Sequence, residues 1–218
     1  MTRMPVRIAM LLAATLAAWQ PSKARAAEED VQLWQIAIVT GDLAKDTALT
    51  VDASQRWREA ARGGDQQTFR FSIDQRVAEG VRIGGGAAVF EAGGSTELRP
   101  HQQITIVRGG FESRTRFEQR FFDGADRAEL RLRQRIQYTH PLGKGWRASV
   151  GGEVLGLLQG RNAGDGASTD QWRAQVRIMH AVNDRLEVAA SYWLIGFPRG
   201  DRPDRYTHVP QTVVTWRF

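Results

Sequence analysis

The side chains in this sequence best placed to do chemistry are arginines and glutamates set two residues apart. FESRTRFEQRFF (111–122) carries Glu112, Arg114, Arg116, Glu118 and Arg120 on one parity, and ELRLRQRIQYTH (129–140) carries Glu129, Arg131, Arg133 and Arg135 in the same way. Such a set supports ion pairing, because a planar guanidinium forks onto a carboxylate through two parallel N–H···O bonds. Nucleophilic catalysis asks for something else, a nucleophile with a base beside it. The candidates for that are His101, His140, His180 and His208, with serines such as Ser149. His140 and His180 fall on the apolar parity of their segments, close to the ends, where an amphipathic ring suits an interface. His101 and His208 fall in or beside expected loops. There is no G-x-S-x-G element and no two-histidine metal spacing. Cysteine is absent, so thiolate metal sites, disulfides and cysteine nucleophiles are excluded. The expectation is no catalytic residue, no metal and no cofactor.

The elements that position these charges follow from the spacing. Residues two apart point the same way in a strand, and Phe111, Phe117 and Phe121 occupy the parity opposite the charges. The same alternation recurs over 31–40, 48–58, 68–77, 81–91, 102–108, 111–122, 129–140, 145–158, 171–182, 185–196 and 209–218, each bounded by turn-forming residues. Gly84-Gly85-Gly86 lies inside one segment without a phosphate-loop pattern and predicts a place of curvature or close packing. Between the segments, short turns such as Asn183-Asp184 and Gly109-Gly110 alternate with longer connections at 59–67, 91–101, 159–169 and 197–205. All-β structure with short turns on one side and long loops on the other is the pattern of a closed outer-membrane barrel.

Residues 1–26 read as a secretory signal: Arg3 and Arg7, an apolar run over 8–19 too short to span a bilayer, then Ala24-Arg25-Ala26. Residues 27–218 are then the barrel domain. Removing four cations with the signal lowers the formal charge from +6 to +2, which undercuts any nucleic-acid reading of the basic composition. Eleven segments conflict with the even numbers of bacterial barrels, so one N-terminal segment is expected to be misread and the expected fold is a closed antiparallel transmembrane β-barrel of 10 to 12 strands. Trp34, Trp57, Trp146, Trp172 and Trp216 fall near segment ends, as interfacial girdles require, whereas Trp193 takes the charged parity. At the C-terminus Val214, Trp216 and Phe218 alternate outward and resemble the signal read by the bacterial barrel-assembly machinery.

ELRPHQQ (97–103), RFEQRF (116–121) and RLRQR (131–135) together resemble the bacterial domain-of-unknown-function family 2490. Arg99, Gln102 and Gln103 match its Arg-x-x-Gln-Gln element. Arg116, Glu118, Gln119 and Arg120 match its Arg-x-Glu-Gln-Arg element, and Arg131, Arg133 and Arg135 its following basic strand. The match is poorer at Glu153, followed here by Val154, Leu155 and Gly156 where the family tends to Glu-x-Phe. The resemblance implies an exported outer-membrane barrel and no reaction.

In a barrel the phenylalanine face meets lipid and the charged face lines the lumen. Arg114, Arg116, Glu118, Arg120, Arg131, Arg133, Arg135 and Glu153 are then expected to form a lumen charge network, with Glu118 the nearest counter-charge to Arg116. Two consequences are open: an interior packed by ion pairs, giving a structural or interaction barrel, or a narrow channel whose surplus arginines prefer anions. The expected setting is the outer membrane of a Gram-negative bacterium, with its lipids, the assembly machinery and small anionic solutes as partners and no nucleic acid. The competing readings are an outer-membrane lipid-modifying enzyme and a soluble periplasmic β-sandwich binding protein.

Overall fold

The computed structural model describes residues 27–218; the expected signal peptide lies outside the described residues. Twelve strands follow in order: β1 (Glu28–Val31), β2 (Leu33–Ala44), β3 (Thr47–Trp57), β4 (Gln66–Ala78), β5 (Val81–Ala92), β6 (Ser95–Arg108), β7 (Phe111–Phe122), β8 (Glu129–Gly143), β9 (Trp146–Gln159), β10 (Ser168–Ala181), β11 (Leu186–Phe197) and β12 (Arg205–Arg217). Each of β2 to β12 pairs antiparallel with the next, and β12 closes onto β2 in parallel, with Gln211 opposite Trp34 and Arg217 opposite Thr40. The sheet is a closed barrel.

The expectation of an even strand number gives way here. The eleven alternating segments are eleven staves, and β1 is an extra short strand that extends β2 along β12 in one unbroken register, Glu28 opposite Arg205. The two are separated where Leu33 would meet Pro210, which has no N–H to give the ladder. An odd number of staves makes the first and last run the same way, hence the parallel seam.

Turn chemistry sets the two rims. At one rim the connections are Lys45-Asp46, Glu79-Gly80, Gly109-Gly110, Lys144-Gly145 and 182–185. At the other they are 58–65, 93–94, 123–128, 160–167 and 198–204, the first holding a 3-10 turn at Ala60–Arg62. The connection expected over 91–101 is shorter than the sequence suggested. Gly93 and Gly94 both take positive φ, 57° and 78°, and form a two-residue hairpin turn, so β5 and β6 run on to meet each other.

Burial is inverted relative to a soluble protein. Among the described residues, 22 buried side chains are polar or charged and 10 are hydrophobic, while Phe69, Phe71, Val150, Val176 and Val214 stand exposed on the outer wall. A β-sandwich would bury those apolar side chains between its sheets, so the sandwich alternative fails on both topology and burial.

Candidate functional site: the charged lumen

The lumen is built by the inward parity of each strand. Antiparallel register sets Glu118 of β7 opposite Arg131 of β8, Arg116 opposite Arg133, Arg114 opposite Arg135 and Arg120 opposite Glu129; across the next ladder Arg135 meets Glu153 of β9. Period-2 alternation and register together therefore stack charge on charge around the wall.

Glu118 is the hub. Arg131 donates to its Oε2 through Nε at 2.8 Å and Nη2 at 2.6 Å, and Arg133 donates to its Oε1 at 2.8 Å. Arg116 lies 4.0 Å from the same carboxylate and donates its own bonds to Gln103 Oε1 at 2.6 and 3.0 Å. Arg133 also forks onto Glu153, at 2.8 Å to Oε1 and 3.0 Å to Oε2, and Arg173 and Arg114 approach that carboxylate at 3.4 and 3.8 Å. A second knot ties Glu97 to Arg99 and Arg120, with Arg120 also donating to Glu129. A third ties Glu187 to Arg147 and Arg217 near the short-turn rim.

The Glu118 knot packs the middle of the lumen. Glu118 is 1% exposed, Arg131 3% and Arg116 4%. A cavity of about 220 Å³ lies on the long-loop side, with Arg131 in its floor, and one of about 200 Å³ on the other side, lined by Arg114 and Arg116. Glu118, bonded to the floor of one and beside the roof of the other, lines neither.

The residues expected in the network all face the lumen, with one difference of partner. Although Arg135 stands opposite Glu153 in the ladder, among the described residues it bonds to no carboxylate; it donates to Gln137 and, at 3.3 Å, to Gln175, with its guanidinium 5.9 Å from the Trp193 ring. Glu97 and Arg99 were missed, because Gly93-Gly94 and Pro100 suggested a long loop. The alternation Glu97, Arg99, His101, Gln103 was the available signal.

The lumen also has an apolar wall, along the seam. Trp34, Ile195 and Val209 form one buried cluster, joined by Trp193 and Phe197; Met179, Ala189 and Val213 form another, joined by Ile36 and Ile38. Trp34 is therefore no girdle residue. It is 6% exposed inside the barrel, its indole donating to Gln32 at 3.0 Å. Trp57 at one rim and Trp146 and Trp216 at the other do stand on the outer wall. Val214, Trp216 and Phe218 project outward from the end of the chain, and the Phe218 amide donates to Thr40 at 3.2 Å across the seam.

Two histidines sit elsewhere than expected. His101 is within β6, buried in the lumen, its Nε2 3.1 Å from Ser72 Oγ. Among the described residues no carboxylate bonds its other nitrogen, so this serine–histidine contact lacks the third group that orients a catalytic base. His208 is in β12 on the outer wall, between Tyr192 and Glu29, with Nε2 2.6 Å from the Glu29 carboxylate. His140 and His180 lie near the short-turn rim, stacked on Tyr138 and Trp146. Among the described residues no three His, Asp or Glu converge as metal ligands.

Family membership is settled by sequence: residues 31–205 match the family described as Protein of unknown function (DUF2490). The chain belongs to that family. No curated protein matches it. Among solved structures it is similar to the KdgM porin in complex with disordered oligogalacturonate, with a TM-score of 0.48 and 12% identity over 78% of this chain and 85% of that one. A second KdgM porin structure gives 0.48 and 13% over 72% and 81%. OmpT, an outer membrane protein of Vibrio cholerae, gives 0.39 and 8% over 70% of this chain and 56% of that one. At these identities nothing about a solute passes from those proteins to this DUF2490 chain.

Proposed function

We propose that this DUF2490 protein is a barrel of the Gram-negative outer membrane whose lumen is closed, serving a structural or interaction role without enzymatic chemistry. The observation that carries this is the waist: Glu118 bonded to Arg131 and Arg133, all three buried in the middle of the lumen. The apolar outer wall supports the membrane setting, since a closed barrel satisfies every ladder hydrogen bond without water. Its staves β2 to β12, of 11 to 15 residues, also suit a bilayer. At about 3.3 Å per residue and a tilt of about 45°, a twelve-residue strand rises roughly 28 Å, close to the hydrocarbon thickness. Outward Val214, Trp216 and Phe218 serve as the signal to the assembly machinery in this reading.

The test is electrical. Purified, refolded protein is expected to migrate anomalously on unheated gels and to leave planar bilayers silent; steady wild-type conductance would refute the closed lumen. A second reading, a narrow anion-preferring channel, is favoured by the cavities on both sides of the waist. It predicts small anion-selective steps instead.

A further inference from the structure

Arginines in this lumen are held in two ways. At the waist they are held by carboxylates, as described. In the cavity on the long-loop side, several are held by aromatic rings. Arg56 lies over Trp34, its guanidinium carbon 4.1 Å from the ring centroid, and Arg205 lies over Phe197 at the same distance. Among the described residues neither forms a salt bridge, and the carboxylates nearest in effect to Arg205, Asp30 and Glu28, act on it from beyond bonding distance. The one side-chain bond of Arg56 goes to Gln66 at 3.1 Å, and the Nε atoms of both Arg56 and Arg205 are buried without an acceptor. Arg58 gives its Nε to the Gly64 carbonyl at 2.8 Å.

The distinction matters chemically. A carboxylate neutralises a guanidinium and occupies its donors. A ring takes the flat face and leaves the N–H edge free, fixing the group's orientation without cancelling its charge. Eight arginines and two carboxylates line this cavity of about 220 Å³. Glu97 is engaged by Arg99 and Arg120, while Asp30 accepts from Gln32 at 2.8 Å and Thr207 at 3.1 Å on one oxygen only and offsets one of the cations around it. Fixed, desolvated cations with open donor edges are unfavourable alone and are relieved by an anion.

We propose that this cavity binds a compact soluble polyanion, a solute bearing two or more closely spaced oxyanion groups of the carboxylate or phosphate type. Arg56 and Arg205 supply the forked donors and the rings behind them hold the forks in place. The barrel wall separates the cavity from the surrounding leaflet, so the ligand is a solute arriving past the loops and not a lipid headgroup. The site rests on the lumen assignment but not on the closed waist.

Calorimetric titration of the refolded protein in neutral detergent at low salt tests this, with citrate and tripolyphosphate as probes and acetate and glucose as comparisons. Citrate or tripolyphosphate is expected to bind at least about a hundredfold more tightly than acetate, with no glucose binding, because each further charge-assisted contact is worth roughly tenfold or more. The relative strength of the two probes tells carboxylate from phosphate recognition. Arg56→Gln with Arg205→Gln should weaken the better probe by at least about a hundredfold on the same arithmetic, while Arg76→Gln, at the short-turn end of β4, should change nothing. Should the double variant not refold, Arg56→Lys keeps the charge, loses the fork and should cost about tenfold. No binding of either probe by the wild type, or binding indifferent to Arg56, overturns the site. A conducting barrel that still binds overturns the closed lumen and leaves the site standing.

Discussion

Glu118 shows how far single residues could be read from the sequence and where that reading stopped. Its parity with Arg114, Arg116 and Arg120 was visible, and so was the need for a counter-charge. Which arginine it would serve was not, because register between strands is set by turns and closure, not by alternation within a strand. Its tightest partners are Arg131 and Arg133 on the neighbouring strand, and Arg116 on its own strand is the more distant. This makes a sharp prediction. Glu118→Gln removes a charge shared by three arginines, and breaking a buried pair by removing one partner costs about 3–5 kcal/mol. The expected result is a clear fall in the unfolding midpoint of the refolded protein in detergent. Phe117→Leu, one residue away on the outer wall, should shift that midpoint little, because lipid or detergent accepts either side chain. A harmless Glu118→Gln beside an unfolded Phe117→Leu would mean the faces are reversed.

At the scale of elements, the eleven segments were legible because alternation persists wherever a strand has two unlike surroundings. It faded along the seam. β2 carries Trp34, Ile36 and Ile38 inward as well as Ala37 and Val39 outward, so an apolar lumen wall and a lipid face look alike in sequence. The glycines of β5 were read as a place of close packing, and the geometry gives the reason. A Cβ on Gly86 would lie 2.0 Å from the Phe71 carbonyl oxygen, and one on Gly84 2.3 Å from that of Ile73, both backbone atoms of β4. Gly86→Val is therefore expected to force β4 and β5 apart and abolish the heat-modifiable gel species; a normal folded yield would show that the strands can relax. The closing strand makes a separate prediction. The Phe218 ring lies over Gly41, where an added Cβ would stand 2.8 Å from it, so this residue packs the seam as well as ending the outward row. Deleting Phe218 should lower the membrane-assembled fraction in cells, measured by heat-modifiability of membrane extracts. Unchanged levels would remove both roles.

For the whole molecule, strand number decides orientation. With eleven staves and a parallel seam, Glu28 stands at the rim of the long loops, beside Arg199 and Arg62, while Arg217 ends at the rim of the short turns. Had the number been even, the first and last strands would run antiparallel, and both ends would share the short-turn rim. Short turns of outer-membrane barrels face the periplasm and long loops the exterior, so in the proposed outer-membrane setting the two topologies place Glu28 on opposite sides. The chain has no cysteine, which makes the difference easy to measure. Single variants Glu28→Cys, Gly164→Cys in the 160–167 loop and Lys144→Cys in a short turn can each be exposed to a membrane-impermeant thiol reagent on intact cells. The eleven-stave topology in the proposed setting predicts labelling at positions 28 and 164 and protection at 144 until the outer membrane is permeabilised. Protection at 28 together with 144 would restore an even-stranded barrel. Uniform labelling of all three in a soluble fraction would remove the membrane altogether.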